Sequence, residues 1–424
     1  MRSRSRLKAI PAIIYTALLV LVCISGPFHE APSDVKPLIG PAPAAEVTLS
    51  CGTYPVETTE LTAVIQSEDI SKLDSLSYLT RADFSGSSCW KEIAEWGQAH
   101  PLLELKYTVT LPDGTVLDNS AAELDLSSLG HAAAAETAEA LACLPAVTHI
   151  KLGAQSAGSD ALTLADIGVI HEACPNAELD YSLTLYGHEI NLSASSLDFR
   201  GTQISDEASA LAEVLPLMTR CTYLDMDNTG VSNEALAKIR EQFPNIDVVW
   251  RVWFGTNYSV RTDTERILAS KPTVGGMIYD ASVLQYCTKV KYLDLGHNDE
   301  LPSIDFVRNM PELEVLIIAM TAVRDISPLE SCPKLEYLEL NSTNIADISP
   351  LKNSTGLHHL NIAGCPNIKD ISPLYGLTEL ERLWIGCDTP VPDKQVSAMK
   401  AAVPGCTINT TTDDPHGGAW RYTG

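Results

Sequence analysis

Asp325-Ile326-Ser327-Pro328-Leu329 decides the fold of this chain, because the same five residues return at 347–351 and 370–374. Looser copies stand at 280–284 and 303–307. The copies start at positions 280, 303, 325, 347 and 370, so their spacing is almost even. A phrase that returns at nearly constant spacing predicts an array of equivalent structural units, each stacked on the next.

A second phrase accompanies the first one. Six residues after the last residue of each copy comes an apolar residue that opens the pattern apolar-x-x-apolar-x-apolar, as in Leu335-Glu-Tyr-Leu338-Glu-Leu340. A period of about 20 to 29 residues with this pattern is typical of leucine-rich repeats. The predicted fold class is therefore an α/β leucine-rich-repeat solenoid, with a parallel sheet on its concave face and helices and short turns on its convex face.

The regular repeats resemble the internalin-type leucine-rich repeats of bacteria, which share the signature Asx-Ile-x-Asp-Ile-Ser-Pro-Leu. Residues 344–351 and 367–374 match this signature. The resemblance covers only the regular repeats of the chain. It implies an exported scaffold that binds another protein. Thr321 and Thr343 depart from the pattern, since they replace the asparagine that usually closes the strand phrase.

A longer period precedes the regular repeats. Leu111, Leu185 and Phe254 recur at similar intervals, and each ends an alternating, strand-like segment that follows a proline. This spacing predicts helix-rich super-repeats over 47–279, each roughly three times as long as a regular repeat. They merge into the regular repeats and C-terminal cap of 280–409. Helices are expected at 232–243 and 392–403. Three serines are expected to N-cap short helices that begin at the following proline: Ser327, Ser349 and Ser372.

The N-terminus has the layout of an export segment. Four basic residues within the first eight precede the uncharged stretch 9–26. This arrangement predicts that 1–26 is a cleaved signal peptide or a membrane anchor that leaves the rest of the chain outside the cytoplasm. The five prolines of 27–46 indicate a tether, and the polar tail 410–424 is predicted to be disordered. The expected location is extracytoplasmic, either secreted or membrane-anchored.

The charge of the chain limits its partners. Asp and Glu number 54 against 29 Lys and Arg, which gives a formal net charge of −25. Such an acidic body is unsuited to nucleic acid or to anionic membranes, because both repel it. We expect a protein partner of basic or neutral surface, and membrane contact only through the N-terminal segment.

The eleven cysteines are predicted to be mostly buried thiols. Cys287 and Cys332 each lie three residues before the opening apolar position of a repeat. A position set by the repeat is a packing position, where cysteine acts as a small hydrophobic residue. Two pairs remain candidates for a disulfide: Cys365 with Cys387, and Cys51 with Cys89.

The predicted binding face consists of the residues between the apolar positions of each strand. Side chains alternate along a strand, so these residues face away from the core and form two exposed columns on the concave face. Tyr, Trp and Arg are enriched among residues that dominate binding energies. The predicted partner-binding residues are Tyr223, Asp225, Tyr292, Asp294, Val315, Ile317, Tyr337, Glu339, His359, Asn361, Arg382 and Trp384.

Two other interpretations stay open. The recognition surface could be the convex face or an edge, or the chain could be a cell-surface spacer in which Asp and Tyr are ordinary strand residues. A carbohydrate-binding module is a further alternative, which predicts a hollow with clustered aromatic groups.

The sequence predicts no catalytic residue, cofactor or metal. It contains no Gly-x-Ser-x-Gly, phosphate-binding Gly-Lys loop, Gly-x-Gly-x-x-Gly or His-Glu-x-x-His motif. His358 and His359 are consecutive strand residues, so their rings point to opposite faces and cannot share one ion. His171 and Cys174 have the spacing of half a zinc site, but Cys174 occupies a packing position.

Overall fold

The computed structural model describes residues 45–386 and 388–411. The predicted export segment 1–26, most of the tether 27–46 and most of the tail 410–424 lie outside the described residues, as does Cys387. Within the described ranges, no helix combines the length and the apolar character needed to cross a membrane.

The first part of the chain forms short parallel strands joined by helices. A hairpin of β1 and β2 precedes a parallel sheet of β3, β4 and β5, and a second hairpin of β6 and β7 follows. The strands are β1 Glu46–Leu49, β2 Gly52–Pro55, β3 Glu60–Thr62, β4 Arg81–Asp83, β5 Glu104–Lys106, β6 Thr108–Thr110 and β7 Val116–Asp118. The helices are the 3-10 helix η1 Ser67–Asp69, α1 Ile70–Leu73 and α2 Trp90–Ala99.

The same plan occurs twice more. Its strands are β8 Glu123–Asp125, β9 His149–Ala154, β10 Glu178–Leu185, β11 His188–Asn191, β12 Ser196–Asp198, β13 Tyr223–Asp225, β14 Asp247–Val249, β15 Arg251–Phe254 and β16 Tyr258–Arg261. Its helices are α3 His131–Leu141, α4 Leu164–Ala173, α5 Ser209–Val214, η2 Leu215–Leu217 and α6 Asn233–Gln242. Strands β8, β9 and β10 are parallel and β11 is antiparallel to β10, whereas β12, β13 and β14 form a parallel sheet before the hairpin of β15 and β16.

The long period of the upstream region therefore corresponds to three parallel strands plus one antiparallel hairpin. Equivalent hydrogen bonds close the base of each hairpin: Asn119 N donates to Tyr107 O, Leu192 N to Tyr181 O, and Thr262 N to Trp250 O. The sequence analysis did not predict these hairpins. Each hairpin replaces the helix between two successive parallel strands and divides the parallel ladder into separate sheets.

The regular repeats form one parallel sheet of seven strands in chain order. Its strands are β17 Arg266–Leu268, β18 Tyr292–Asp294, β19 Val315–Ile317, β20 Tyr337–Glu339, β21 His359–Asn361, β22 Arg382–Trp384 and β23 Thr407–Asn409. The connecting helices are α7 Lys271–Val274, η3 Ser282–Tyr286, η4 Asp305–Asn309, η5 Ser327–Ser331, η6 Ser349–Asn353, η7 Ser372–Gly376 and α8 Asp393–Ala402. The predicted α/β leucine-rich-repeat fold is confirmed.

The apolar positions of the repeat form the core of this region. Leu316, Leu338 and Leu360 stand in register at the centres of neighbouring strands and are fully buried. On the opposite side, Ile326 and Ile348 of the Asp-Ile-Ser-Pro-Leu phrase are also buried. Burying such a side chain contributes about 1.5 to 3 kcal/mol. Each repeat thus adds several kcal/mol of apolar burial that only its neighbours complete.

The prediction that the repeat serines N-cap the short helices is wrong. In η6, Ser349 is already the first helical residue and its side chain caps nothing. Instead the Asp347 carboxylate accepts a hydrogen bond from Ser349 N at 2.8 Å. The same contact, also at 2.8 Å, joins Asp325 to Ser327. The aspartate two residues before the first helical residue therefore accepts the amide of that residue and takes over the role expected of the serine at the start of the helix.

Burial of the thiols agrees with the packing interpretation. Of the nine described cysteines, all of which are free, Cys51 is exposed and Cys143 is half-buried. The buried ones are Cys89, Cys174, Cys221, Cys287, Cys332, Cys365 and Cys406. Burial raises the pKa of Cys287 to about 12 and that of Cys332 to about 11. These thiols stay protonated and are poor nucleophiles at neutral pH.

Removing the repeat aspartate should weaken the rung that contains it. We expect Asp347→Ala to lower the free energy of unfolding by about 1 kcal/mol, because Ser349 N loses its acceptor at the start of η6. Asp347→Asn keeps an acceptor oxygen and should cost less than half as much. Urea unfolding followed by circular dichroism measures both. Equal effects of the two variants would contradict the role of the hydrogen bond.

Thiol reactivity tests the packing of the cysteines. With iodoacetamide at neutral pH, Cys51 should react first and Cys143 more slowly. The seven buried thiols should react only after denaturation. Peptide mapping by mass spectrometry identifies the labelled positions. A bond between Cys51 and Cys89, or rapid native labelling of Cys332, would contradict this description.

Candidate partner-binding face

The inner side of the seven-stranded sheet presents two columns of side chains in continuous register. The first column is Arg266, Tyr292, Val315, Tyr337, His359, Arg382 and Thr407. The second column is Leu268, Asp294, Ile317, Glu339, Asn361, Trp384 and Asn409. Ten of the twelve predicted residues stand here, on strands about 4.8 Å apart. Arg266 and Asn409 belong to the same face and were missed, because their strands lack the full repeat phrase.

The expectation that both columns are exposed is wrong for most of the second column. Ile317, Glu339, Asn361 and Trp384 are 2, 3, 0 and 4% exposed, whereas the first column is half-buried from Tyr292 to Arg382 and exposed at its two ends. Part of this burial comes from Tyr337, whose hydroxyl lies 2.5 Å from Oε1 of Glu339 and whose ring packs on Trp384. Large first-column side chains thus extend across the second column.

Several polar residues of the second column have a structural role. The carboxylate of Asp294 accepts a hydrogen bond from Gly296 N at 2.9 Å, and Asn361 Oδ1 accepts one from Ala363 N at 3.0 Å. The same contact, from residue i+2 back to residue i, occurs at Asp225 and Asn409. An aspartate or asparagine at the strand end therefore turns the chain out of the sheet.

The same turn also shows which strand-end residues are not needed to end a strand. Ile317 and Trp384 occupy the strand-end position without a side chain that can accept the turn hydrogen bond. Glu339 has a carboxylate there, but it accepts from Tyr337. Together with Leu268, these three second-column residues are therefore the ones whose chemistry the turn does not require. Beside them, the rings of Tyr337 and His359 meet edge to face at 5.7 Å between centroids.

Two polar atoms of this face are buried without a hydrogen-bond partner among the described residues, namely Nδ1 of His359 and Nδ2 of Asn361. Burial, and secondarily the positive charge of Arg382, lowers the pKa of His359. The imidazole is therefore neutral at neutral pH. An amide donor buried without an acceptor costs about 1 to 3 kcal/mol.

Tyr223 and Asp225 lie on a different sheet, the one formed by β12, β13 and β14. Arg261 of the third hairpin donates to Asp225 Oδ2 and to the Tyr223 hydroxyl, each at 3.0 Å. Arg251 of the same hairpin donates to the Asp227 carboxylate at 2.9 Å. These two predicted residues thus already have internal partners, and their role in binding stays a prediction.

This ion network was not predicted from the sequence. Burial of Arg261 opposes its positive charge, but hydrogen bonds to Asp225 and Asp263 outweigh it and raise the pKa of the guanidinium. The hairpins could have been predicted from the turn residues in the sequence. Pro112-Asp113-Gly114 and Tyr186-Gly187 stand between alternating apolar segments, as hairpin turns do, and Gly255 occupies the corresponding place before β16.

The described residues hold no group of three or more His, Cys, Asp or Glu side chains arranged to bind a metal ion. Cys174, from the suspected half site, is buried with its thiol 3.6 Å from Leu141 O, and burial raises its pKa to about 11. Elsewhere, Trp253 and Tyr279 are 61% and 59% exposed and line one hollow of about 310 Å³ beside the third hairpin.

Residues 311–353 match the family model for leucine-rich repeats, in two copies. These two rungs are leucine-rich repeats. They include β19 and β20 and therefore the centre of the candidate face. The prediction that this region consists of leucine-rich repeats is confirmed. No curated protein matches the sequence.

The similarity of this chain to solved structures is low in both sequence identity and TM-score. The internalin InlF of Listeria monocytogenes is 18% identical over 86% of each chain, with a TM-score of 0.33. The leucine-rich-repeat protein LIC12759 of Leptospira interrogans is 13% identical over 82% of this chain and 99% of its own, also with a TM-score of 0.33. At such values neither similarity bears on function, and the fold assignment depends on the strand register and the repeats.

The ion network of the third hairpin should be sensitive to the loss of its arginine. We expect Arg261→Met to lower the free energy of unfolding by about 3 kcal/mol, because Asp225 becomes a buried carboxylate with a weakened set of partners. Adding Asp225→Asn to this variant should recover part of the loss. Urea unfolding of the wild type, both single variants and the double variant measures the coupling. Additive effects would show that the pair is not coupled.

Proposed function

We propose that this chain is an exported leucine-rich-repeat scaffold that binds another protein through the inner face of its seven-stranded sheet. The observation that supports this most directly is the group Ile317, Tyr337, Glu339 and Trp384, where the strand-end residues depart from the turn-forming pattern. Aromatic, apolar and acidic groups meet there on neighbouring strands of one sheet. Of these four side chains Tyr337 is the half-buried one, and an aromatic side chain held on a rigid sheet loses little entropy when a partner binds.

The proposed partner has a basic surface. Asp294 places a half-buried carboxylate on the face, and the whole chain carries a formal charge of −25. The negative electrostatic potential of such a chain speeds the approach of a positively charged partner and repels nucleic acid. Binding should therefore weaken as the salt concentration rises, because salt screens exposed charges.

Export is part of the same proposal. Residues 1–26, which have the basic and then apolar composition of an export segment, lie outside the described residues. Fractionation of the producing cell, followed by intact mass of the recovered chain, tests it. A measured mass smaller by residues 1–26 would indicate a cleaved signal peptide. A full-length mass in the membrane fraction would indicate a membrane anchor. Recovery from the cytoplasm would contradict export.

The binding face can be tested by paired substitutions on its half-buried first column. We expect Tyr292→Ala/Arg382→Glu to weaken partner binding at least tenfold, which corresponds to about 1.4 kcal/mol. The matched control is Lys352→Glu, an exposed charge change on η6 at the opposite side of the sheet. Affinity capture from cell-surface and medium fractions, then titration of the captured protein, gives the comparison.

Three outcomes separate the alternatives. A partner retained by the wild type and by Lys352→Glu but lost by the double variant supports the proposal. A partner lost only by Lys352→Glu moves recognition to the outer side of the sheet. Absence of any partner for all three proteins favours a structural spacer. Circular dichroism must first show that all three are folded.

The exposed aromatic pair supports a second candidate, a carbohydrate-binding module. Sugars stack on exposed aromatic rings, and Trp253 and Tyr279 line one hollow. If this function holds, a polysaccharide gel should retard the wild type but not Trp253→Ala. Leu102→Ala is the matched control, because Leu102 is 98% exposed at a distant site. Unretarded migration of the wild type through cell-wall polysaccharides would remove this candidate.

A further inference from the structure

A hollow of about 250 Å³ lies between the first hairpin and helix α3. It is lined by the turn between β6 and β7, by the end of β8 and by the first two turns of α3. This volume is below the roughly 300 to 1,000 Å³ of pockets for drug-sized ligands, so it suits a single ring with a short substituent. Its apolar lining consists of Leu111, Leu117, Leu124, Leu126, Leu129 and Ala133.

The first upstream unit lacks two aromatic rings that the second unit has at matching positions. Pro112 and Tyr186 each directly follow the leucine that recurs with the long period, at the turn of their hairpins. Leu126 directly follows β8 as Phe199 directly follows β12. Proline in place of tyrosine and leucine in place of phenylalanine both leave space, and the hollow is lined by Pro112 and Leu126.

The second unit shows which chemistry belongs at this place. The ring of Tyr186 meets that of Phe199 edge to face at 5.7 Å between centroids. Its hydroxyl donates to the Asp206 carboxylate at 3.1 Å and accepts a hydrogen bond from Leu211 N at 3.2 Å. The phenol of Tyr186 is thus held by apolar contact, a carboxylate and a polar group of the following helix.

The first unit offers similar polar groups but no phenol of its own at the turn. Asp160 lines the hollow at the N-terminus of α3, where its Oδ1 accepts a hydrogen bond from Ala132 N at 2.9 Å. Gly130 permits this placement, because a Cβ there would collide with the Asp160 carboxylate. The buried Thr137 adds a hydroxyl to the lining. A carboxylate and a hydroxyl can both accept a hydrogen bond from a phenol.

The charge of the hollow limits what it can bind. Among the described residues that line it, three are aspartates and none is Lys, Arg or His. One of the three, Asp125, is paired with Lys151 at 3.0 Å. Asp113 and Asp160 remain as negative groups beside the apolar lining. A concave site lined by one sign of charge favours the opposite sign in its ligand, so a neutral or cationic ligand is favoured over an anion.

We propose that the hollow between the first hairpin and α3 binds a phenolic ring that carries no negative charge. The phenol belongs either to a free small molecule or to a tyrosine side chain of another protein. Its ring packs on the apolar lining, and its hydroxyl donates to the Asp160 carboxylate as Tyr186 donates to Asp206. The site is separate from the inner face of the seven-stranded sheet, so it does not depend on the proposed function.

Ligand-detected NMR on the full chain in mild detergent tests the proposed chemistry. The probes are tyramine, phenethylamine, which lacks the hydroxyl, and phloretate, which carries a carboxylate in place of the ammonium group. Tyramine should bind with a dissociation constant on the order of 1 mM or below. Phenethylamine should bind about tenfold more weakly, because the hydrogen bond to Asp160 is lost. Phloretate should not bind detectably, because the aspartates repel it.

Two variants locate the binding. Leu126→Phe/Thr137→Leu introduces the side chains of the second unit, fills the hollow and should weaken tyramine binding at least about tenfold. Asp160→Asn keeps an oxygen that can accept from Ala132 N but removes the charge, and should weaken tyramine binding about threefold. The matched control is Val169→Ala on α4, which is 43% exposed, does not line the hollow and should bind tyramine as the wild type does. Circular dichroism must first show that each variant is folded.

The outcomes are distinct. Tyramine binding that falls in both variants but not in the control supports the proposal, whether or not the inner face binds a partner. Tighter binding of the peptide acetyl-Gly-Tyr-Gly-amide than of tyramine would assign the site to a tyrosine of another protein, and the reverse order to a free small molecule. Absence of tyramine binding to the wild type, equal binding by the filled variant, or equal binding of tyramine and phloretate would overturn the proposal.

Discussion

The parallel register of very short strands is the constraint on which the rest of the structure depends. Strands of three residues pair one-to-one from β17 to β23, so each buried leucine or isoleucine stands directly beside that of the next repeat. Such strands are too short to be stable alone, and only neighbouring repeats bury their apolar side chains. The segment that connects one strand to the next must therefore place the next strand one strand spacing away, directly beside the first. A short 3-10 helix in each regular repeat does this within the limited length of the repeat.

The same constraint explains why acidic residues line the inner face. Each strand must end abruptly, and a strand-end Asp or Asn achieves this by accepting the amide hydrogen two residues later, as at Asp294 and Asn361. Much of the acidic column is thus turn chemistry rather than recognition. Ile317 and Trp384 occupy this position without a side chain that can form the turn, and both are buried on the inner face.

The periodicity of the sequence was sufficient to predict the sheet, the register of both columns and the helices Asn233–Gln242 and Asp393–Ala402 to within a residue or two. It was not sufficient where the outcome depends on tertiary contacts. The burial of Glu339 depends in part on the side chain of Tyr337, a contact that strand alternation cannot predict. The hairpins were missed because their turns interrupt the period, although Pro112-Asp113-Gly114 marks one of them.

The hairpins raise the question of how a ladder divided into separate sheets remains one body. Strands β14 and β17 do not pair, yet one contiguous core of buried residues extends from Val47 to Cys406. Arg240 bridges the interruption, since its guanidinium lies 4.9 Å from the centre of the Trp250 ring and donates to Tyr286 O at 2.9 Å. Side-chain contacts thus replace the missing backbone hydrogen bonds. Because that bridge connects the third hairpin to η3, the seven-stranded sheet and its face are held by packing on the upstream repeats rather than by a continuous strand ladder.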